Sequence, residues 1–271
     1  MTRPIALTIA GSDSSGGAGI QADLKAFGAF KVYGASVLTA LTAQNTRGVH
    51  AIHPVPAAFV AAQLSAVLDD LDVGAIKIGM LAQAPIIKGI AEGLRDKAKA
   101  PIVLDPVMVA TSGDVLIDEA AIAALQSDLL FQAHLITPNL PEAARLLTTD
   151  PATSTDEMVS QAEALRDRHN TNVLLKGGHS AWGEDVVDVL AKRDGRTVQF
   201  TSVRLGTTHT HGTGCTLSAA IAAGLAHGKP LDASVADAKR YLFAALEAGQ
   251  RLRVGGGKGP VDHLIDWTPD A

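Results

Sequence analysis

The chain repeatedly alternates short apolar runs rich in β-branched residues with segments of helical periodicity, and this pattern restricts its fold more than any other feature. Ile5 to Ala10, Ala35 to Ala43, Ala75 to Ile78, Pro101 to Leu104, Leu135 to Thr137 and Val173 to Leu175 read as strands. Helical spacing fills Gly19 to Phe30, Pro56 to Leu71, Ala84 to Lys97, Glu119 to Leu129, Pro141 to Leu147, Thr155 to His169, Thr216 to His227 and Leu231 to Leu252. Strands joined through helices run parallel, and the helices cover both faces of the sheet. The expectation is an α/β fold, a mostly parallel sheet between two helical layers. No fixed-period repeat and no Pro/Gly/Ser-rich linker divides the chain, so residues 1–271 read as a single domain.

With 47% apolar and 19% charged positions in 271 residues, the chain can bury a large core. A net charge of -5 from 23 basic and 28 acidic residues creates no field that gathers a polyanion, so no nucleic-acid partner is expected. The apolar run in MTRPIALTIAG is too short for a signal segment, and nowhere do 18 apolar residues run together. A soluble, cytoplasmic protein without a membrane partner is expected. Cys215 is the single cysteine, so no intrachain disulfide can form, which suits a reducing compartment.

Open parallel sheets bind ligands beyond the carboxyl ends of their strands. Polar residues stand at those ends: Gly11-Ser12-Asp13, Gln44-Asn45, Asp105, Asn139 and Lys176-Gly177-Gly178. Each alone is ordinary loop chemistry; together they outline one polar cleft. Gly17-Ala18-Gly19-Ile20-Gln21-Ala22 fits a loose dinucleotide fingerprint, but the following strand ends in Gln44-Asn45 rather than in the acidic residue that would hold a ribose. A Gly-rich turn close to a small ligand accounts for the segment better than a nicotinamide enzyme does.

In the following helix Ile20, Leu24 and Phe27 form an apolar stripe with Asp23 beside it. Asp23 is either a partly solvated, paired group at the stripe's edge or one that fixes a polar substrate. Thr207 to Cys215 leads into TLSAAIAAGLA, and successive amides of such a turn at a helix start suit phosphate oxygens. Cys215 is either a small buried hydrophobe or, in the first helical turn, a thiol whose pKa the helix end lowers. The pattern GxxxxGK[ST] is absent. Asn139-Leu140-Pro141-Glu142 has capping-box spacing, while Glu142 with Asp105 also suits a hydrated Mg²⁺. Lys176 is either a surface lysine or a partner for phosphate.

The blocks GSDSSGGAGIQADLKAF, TALTAQNTRGV, KIGMLA, LDPVM, SGD, LITPNLPEAARLL, LLKGGH and THGTGCTLSAAIAAGLA, in this order between about Ile5 and His263, resemble the hydroxymethylpyrimidine/phosphomethylpyrimidine kinases of thiamine biosynthesis. That resemblance implies a ribokinase-like three-layer fold, ATP with Mg²⁺, and two successive phosphorylations of 4-amino-5-hydroxymethyl-2-methylpyrimidine. It implies that Gln44 holds the pyrimidine with Asp23 nearby, and that Gly11, Ala18, Met80 and Val107 line the same pocket. A carboxamide can donate to a ring nitrogen while accepting from an amine, which suits Gln44 to this task. The resemblance further implies Cys215 as the catalytic base and Gly212 and Gly214 around an anion hole. Asp105, Asn139, Lys176, Thr213 and Lys239 would serve ATP, and Asp105 with Glu142 the metal. A homodimer is also implied. Thr111 stands before SGD where members often carry Lys, and the tail VGGGKGPVDHLI lacks a histidine common among them. Pyridoxal or pyridoxine kinase is the nearest alternative; a nonenzymatic binding module is more distant.

Overall fold

The structure, a computed structural model, describes every residue except 1, 98, 111, 112, 115, 179, 181 and 269–271, so Thr111 lies outside the described residues. Nine strands form one sheet in the order β3-β2-β1-β4-β5-β6-β7-β8-β9. The strands are β1 (Ile5–Asp13), β2 (Tyr33–Asn45), β3 (Gly48–Pro54), β4 (Ala75–Ile78), β5 (Ile102–Leu104), β6 (Leu135–Ile136), β7 (Asn172–Leu175), β8 (Asp185–Ala191) and β9 (Thr197–Val203). The helices are α1 (Gly19–Ala29), α2 (Ala57–Leu68), α3 (Ala84–Lys97), α4 (Glu119–Ala124), α5 (Leu140–Leu147), α6 (Thr155–His169), α7 (Thr213–Ala226) and α8 (Leu231–Gly249). β2, β1, β4, β5, β6 and β7 pair in parallel, as the alternation implied. The antiparallel strands β3, β8 and β9, absent from the sequence reading, extend the two ends of the sheet. The helix expected over Glu119 to Leu129 changes at Leu125 into a π-helical turn, Leu125–Leu129.

Period-2 alternation divides the core into two layers. Leu7, Ile76, Leu104, Ile136 and Val173 pack with Leu64 of α2, Ile90 of α3 and Leu146 of α5. Ala6, Ala75, Val103, Leu135 and Leu174 face the other way, against α1, α7 and α8. Small side chains dominate this second face, and Thr216 through Gly224 of α7 are buried without a break. α7 can therefore lie close to the sheet, and its N-terminus points into the crevice. From β1 the chain goes to β2 on one side and later to β4 on the other, so the sheet's order reverses at β1/β4, where an open α/β sheet opens its ligand crevice.

Candidate active site

A cavity of about 890 Å³ runs along the carboxyl ends of the strands. Gly11, Ala18, Gln44, Met80, Val107, Asp105, Asn139, Glu142, Lys176, Gly212, Thr213, Gly214, Cys215 and Lys239, all expected at a site, line it. Asp23 does not. Its carboxylate lies below the wall, fully buried, where Oδ2 accepts from Lys77 Nζ at 2.8 Å and from Thr8 Oγ1 at 2.6 Å. The expectation that Asp23 touches a substrate is thus corrected: at this position the stripe of α1 faces Lys77 of β4, and it is Lys77 that reaches the cavity. Burial works against the Lys77 ammonium, but the adjoining Asp23 carboxylate outweighs it and raises the lysine's pKa, while burial raises the Asp23 carboxyl against the opposing pull of Lys77 and Thr8.

One end of the cavity is built by the turn after β1. Asp13 Oδ2 accepts from the amides of Gly17 and Ala18 at 3.1 and 2.8 Å and lies 2.8 Å from His211 Nε2, while Oδ1 accepts from the Ser15 amide. Burial alone would raise the Asp13 carboxyl; the hydrogen bonds from His211 and Ser15 outweigh it and hold it well below the usual carboxylate range. Gln21 clamps the same turn, accepting from the Asp13 amide at 2.9 Å and donating to Ser12 Oγ at 2.8 Å. Gln44 Oε1 accepts from Thr42 Oγ1 at 3.0 Å, and Ser14 Oγ bonds the Gln44 backbone at both N–H and C=O. Its carboxamide nitrogen has no partner among the described residues.

The middle of the cavity carries charge. Lys176 Nζ lies 2.6 Å from Asp105 Oδ1, which also accepts from Thr137 Oγ1 at 3.0 Å. Glu142 bears out the capping-box reading and also faces the site. It closes a capping box with Asn139, each side chain accepting from the other's amide at 2.9 and 2.8 Å, and it lines the cavity. Burial pushes its carboxyl up to about 7 against the pull of Lys176, with Asp105 adding to the rise. Lys176 is partly buried rather than a surface group. Burial disfavours its ammonium, yet Asp105 and Glu142 raise its pKa.

α7 starts beside this charge cluster. Gly212 caps it at φ +81, and a Cβ there would stand 1.9 Å from Gly17 O, so only glycine closes the turn against β1's loop. A Cβ on Gly214 would lie 3.2 Å from Asp105 Oδ2. The first amides of a helix have no intrahelical acceptor, which leaves this end fit for an anion. Cys215 is not the low-pKa thiol that its place in the first turn suggested. Burial pushes it up to about 11, with Lys77 opposing, so the resting side chain is a thiol.

The far end is formed by Val186, Asp188, Ser202, Val203 and Leu205 of the β8–β9 hairpin region with Leu242, Phe243 and Leu246 of α8. Asp188 joins the two, accepting from Lys239 Nζ at 2.6 Å and from the Gly177 amide at 2.8 Å. Sequence reasoning missed Lys77, His211 and Asp188. Lys77 carried a signal, a lysine inside the otherwise apolar AIKI strand.

The family model described as Phosphomethylpyrimidine kinase matches residues 13–262. The hydroxymethylpyrimidine/phosphomethylpyrimidine kinase of Rhizobium meliloti is 54% identical over 98% of this chain and 99% of its own. Among solved structures, the ADP complex of Bacillus subtilis pyridoxal kinase superposes with a TM-score of 0.88 at 36% identity, covering 97% of this chain and 98% of that one. The phosphomethylpyrimidine kinase of Clostridium difficile gives a TM-score of 0.78 at 39% identity over 89% and 98% of the two chains. The ribokinase-like three-layer fold expected from the sequence is therefore the observed one, and the chain belongs to the phosphomethylpyrimidine kinase family.

Proposed function

We propose that this chain, as one kinase unit over residues 1–271, transfers the γ-phosphoryl group of ATP to the alcohol of 4-amino-5-hydroxymethyl-2-methylpyrimidine and then to the resulting monophosphate, in thiamine biosynthesis. One observation carries the reading. A single cavity joins a small polar end at Gln44, Met80 and Ala18, through the Gly212–Cys215 turn, to the Asp105–Lys176–Glu142 cluster and the apolar β8–β9/α8 end. That is the arrangement an in-line transfer between two substrates requires.

At the acceptor end the free carboxamide nitrogen of Gln44 donates to a ring nitrogen and its oxygen accepts from the exocyclic amine. At the other end Lys239 and the Gly177–Gly178 turn meet nucleotide phosphates, and the apolar residues of the hairpin and α8 cover the base. In the first transfer the acceptor alcohol forms its bond to the γ-phosphorus as the bond to the β-phosphate oxygen breaks, and Cys215, once ionised, takes the alcohol's proton. In the second the acceptor oxygen is a phosphate oxygen, already mostly ionised at neutral pH. Lys176 and the amides around Gly212 and Gly214 then neutralise the approaching anions.

The residues present fit Mg²⁺ in its hydrated form. Glu142 is a buried carboxylate whose pKa burial drives up against the pull of Lys176, and Asp105 stands beside it. Among the described residues no group of three or more His, Cys, Asp or Glu could hold a metal directly. Glu142 and Asp105 would orient the ion's waters while its charge offsets that of the phosphates.

The pyridoxal kinase of Bacillus subtilis shares the fold over nearly the whole chain, which supports pyridoxal as a side substrate. A phosphorus-detected assay with ATP and either the hydroxymethylpyrimidine or pyridoxal separates the readings. Conversion of the pyrimidine to its diphosphate is expected; ATP left intact with both acceptors would overturn the proposal. Among the described residues no helix is long and apolar enough to cross a membrane. Cytoplasmic residence and a homodimer complete the proposal, the latter checked by light scattering.

A further inference from the structure

Lys77 has no counterpart in the function described so far. β4 presents Ile76 and Ile78 to one layer of the core and Ala75 to the other, and at the next position on that second face the pattern calls for a further apolar residue. A fully buried lysine stands there instead, forming part of the cavity wall with Cys215. Burying an ion pair in a sheet interior gains little stability over an apolar pair of the same size. The surroundings are shaped to keep it nonetheless: a Cβ on residue 79 would fall 2.7 Å from Lys77 Nζ, so Gly79 leaves the room the ammonium needs. Its partner is poorly served, because Asp23 Oδ1 is buried without a hydrogen bond among the described residues.

The charged groups around the Cys215 thiol come from four elements: Lys77 of β4, Asp23 of α1, Asp105 after β5 and Lys176 after β7. Lys176 is engaged by Asp105 at 2.6 Å, whereas Lys77 has, among the described residues, its one salt bridge to Asp23, below the wall. Burial opposes thiol ionisation, and among the neighbours Lys77 is the largest influence in the opposite sense.

We propose that Lys77 is a positioning residue for the transfer: its ammonium is the counter-charge that the Cys215 thiolate needs, and Asp23 holds that ammonium in place while partly neutralising it. This deepens the kinase reading, in which Cys215 takes the acceptor's proton. The thiol first loses its own proton to water in the open cavity, the thiolate then forms beside the Lys77 ammonium, and the alcohol's proton restores the thiol as phosphoryl transfer proceeds.

Because Cys215 is the only cysteine, alkylation by iodoacetamide, followed by intact mass across pH 6 to 11 without nucleotide or pyrimidine, reads this one thiol. Asp23→Asn keeps an acceptor for Thr8 and Lys77 but removes the neutralising charge. The ammonium then has Cys215 as its counter-ion, and alkylation at pH 8 rises about tenfold, one pKa unit. Lys77→Met combined with Asp23→Asn differs from that variant only at the cation, buries no unpaired charge, and lowers the rate below wild type. Near-ultraviolet circular dichroism checks that both variants are folded, and a misfolded double variant is replaced by Lys77→Gln with Asp23→Asn. Shifts of opposite sign support the proposal, since loosened packing alone would speed alkylation in both. Shifts of the same sign, or no shift, in folded proteins overturn it. The wild-type phosphorus assay is independent: inactivity there sinks the kinase reading and leaves the thiol titration standing.

Discussion

His211 Nε2 stands 2.8 Å from Asp13 Oδ2, and through this contact the end of β1 and the turn before α7, 198 positions apart, become one wall of the cavity. Asp13 ties the wall together because the same carboxylate also receives the Gly17 and Ala18 amides.

Asp13→Asn retains an acceptor oxygen but loses the charge, and is expected to cost about 1–3 kcal/mol in urea unfolding at pH 7. The folded carboxyl titrates below its ordinary value of 3.8. Its contribution is therefore present above that value and lost as pH falls through the folded one. The stability gap between wild type and variant should close as the pH is lowered below 4; a gap independent of pH would show that charge plays no part.

Gln44→Leu removes the carboxamide while leaving the backbone clamp of Ser14 in place. Calorimetry should show pyrimidine affinity reduced by about 1–3 kcal/mol, with ATP affinity unchanged, because a dry pocket leaves the ring nitrogen and amine without partners. Normal pyrimidine binding would move the acceptor end elsewhere.

Glu142→Gln can retain the cap's hydrogen bonds and removes the buried charge. Turnover should fall at low Mg²⁺ and recover partly as Mg²⁺ is raised. Because the folded carboxyl is raised from 4.5 to about 7, the folded state binds the proton more tightly, and ionising Glu142 costs the ligand-free wild type stability as pH climbs between those values. The variant lacks that loss, so thermal melts should bring it level with or above wild type at pH 8. A uniform loss at every pH would return Glu142 to capping alone.

Cys215→Ala should depress phosphorylation of the alcohol by about 10² to 10⁴ and that of the monophosphate far less, with ATP binding retained. Cys215→Asp should restore part of the first activity, since a carboxylate can accept the proton from nearly the same place. Equal losses in both steps of a folded variant would assign Cys215 to the shape of the turn.

The parallel strands and the strand-end residues Gly11, Gln44, Asp105, Asn139 and Lys176 were legible because position and period carry that information locally, whereas Ala18, Met80, Val107 and Lys239 were expected only from the family resemblance. β8 and β9 were not read, although Asp194-Gly195 between two β-rich runs is a hairpin signal; Asp188 interrupts the first run, and its partner Lys239 lies 51 positions on. β3 is half-exposed and carries two histidines, so it lacks the apolar run that marks the central strands. Asp23 was placed on the correct face of α1, but its partner Lys77 is 54 positions away, and no local pattern couples the two. The choice between the two readings of Cys215 was open for a related reason: helix position is visible in sequence, whereas the surroundings that raise the thiol's pKa are not.

α7 acts as a stiff rod seated end-on in the protein's interior. Nine successive buried residues, Thr216 to Gly224, bear on the sheet and on α8, and at Gly224 a Cβ would come within 2.7 Å of Ser234 Oγ. A rod so tightly seated transmits displacement along its length instead of absorbing it. One methyl added at Gly224, three helical turns from the anion turn, would shift the Gly212–Cys215 end by a fraction of an ångström. In-line transfer tolerates such errors poorly, an ångström costing on the order of 10²-fold in rate. The back of this helix is thus under the same dimensional tolerance as the front, and substitutions there would register as slow catalysis before they registered as instability.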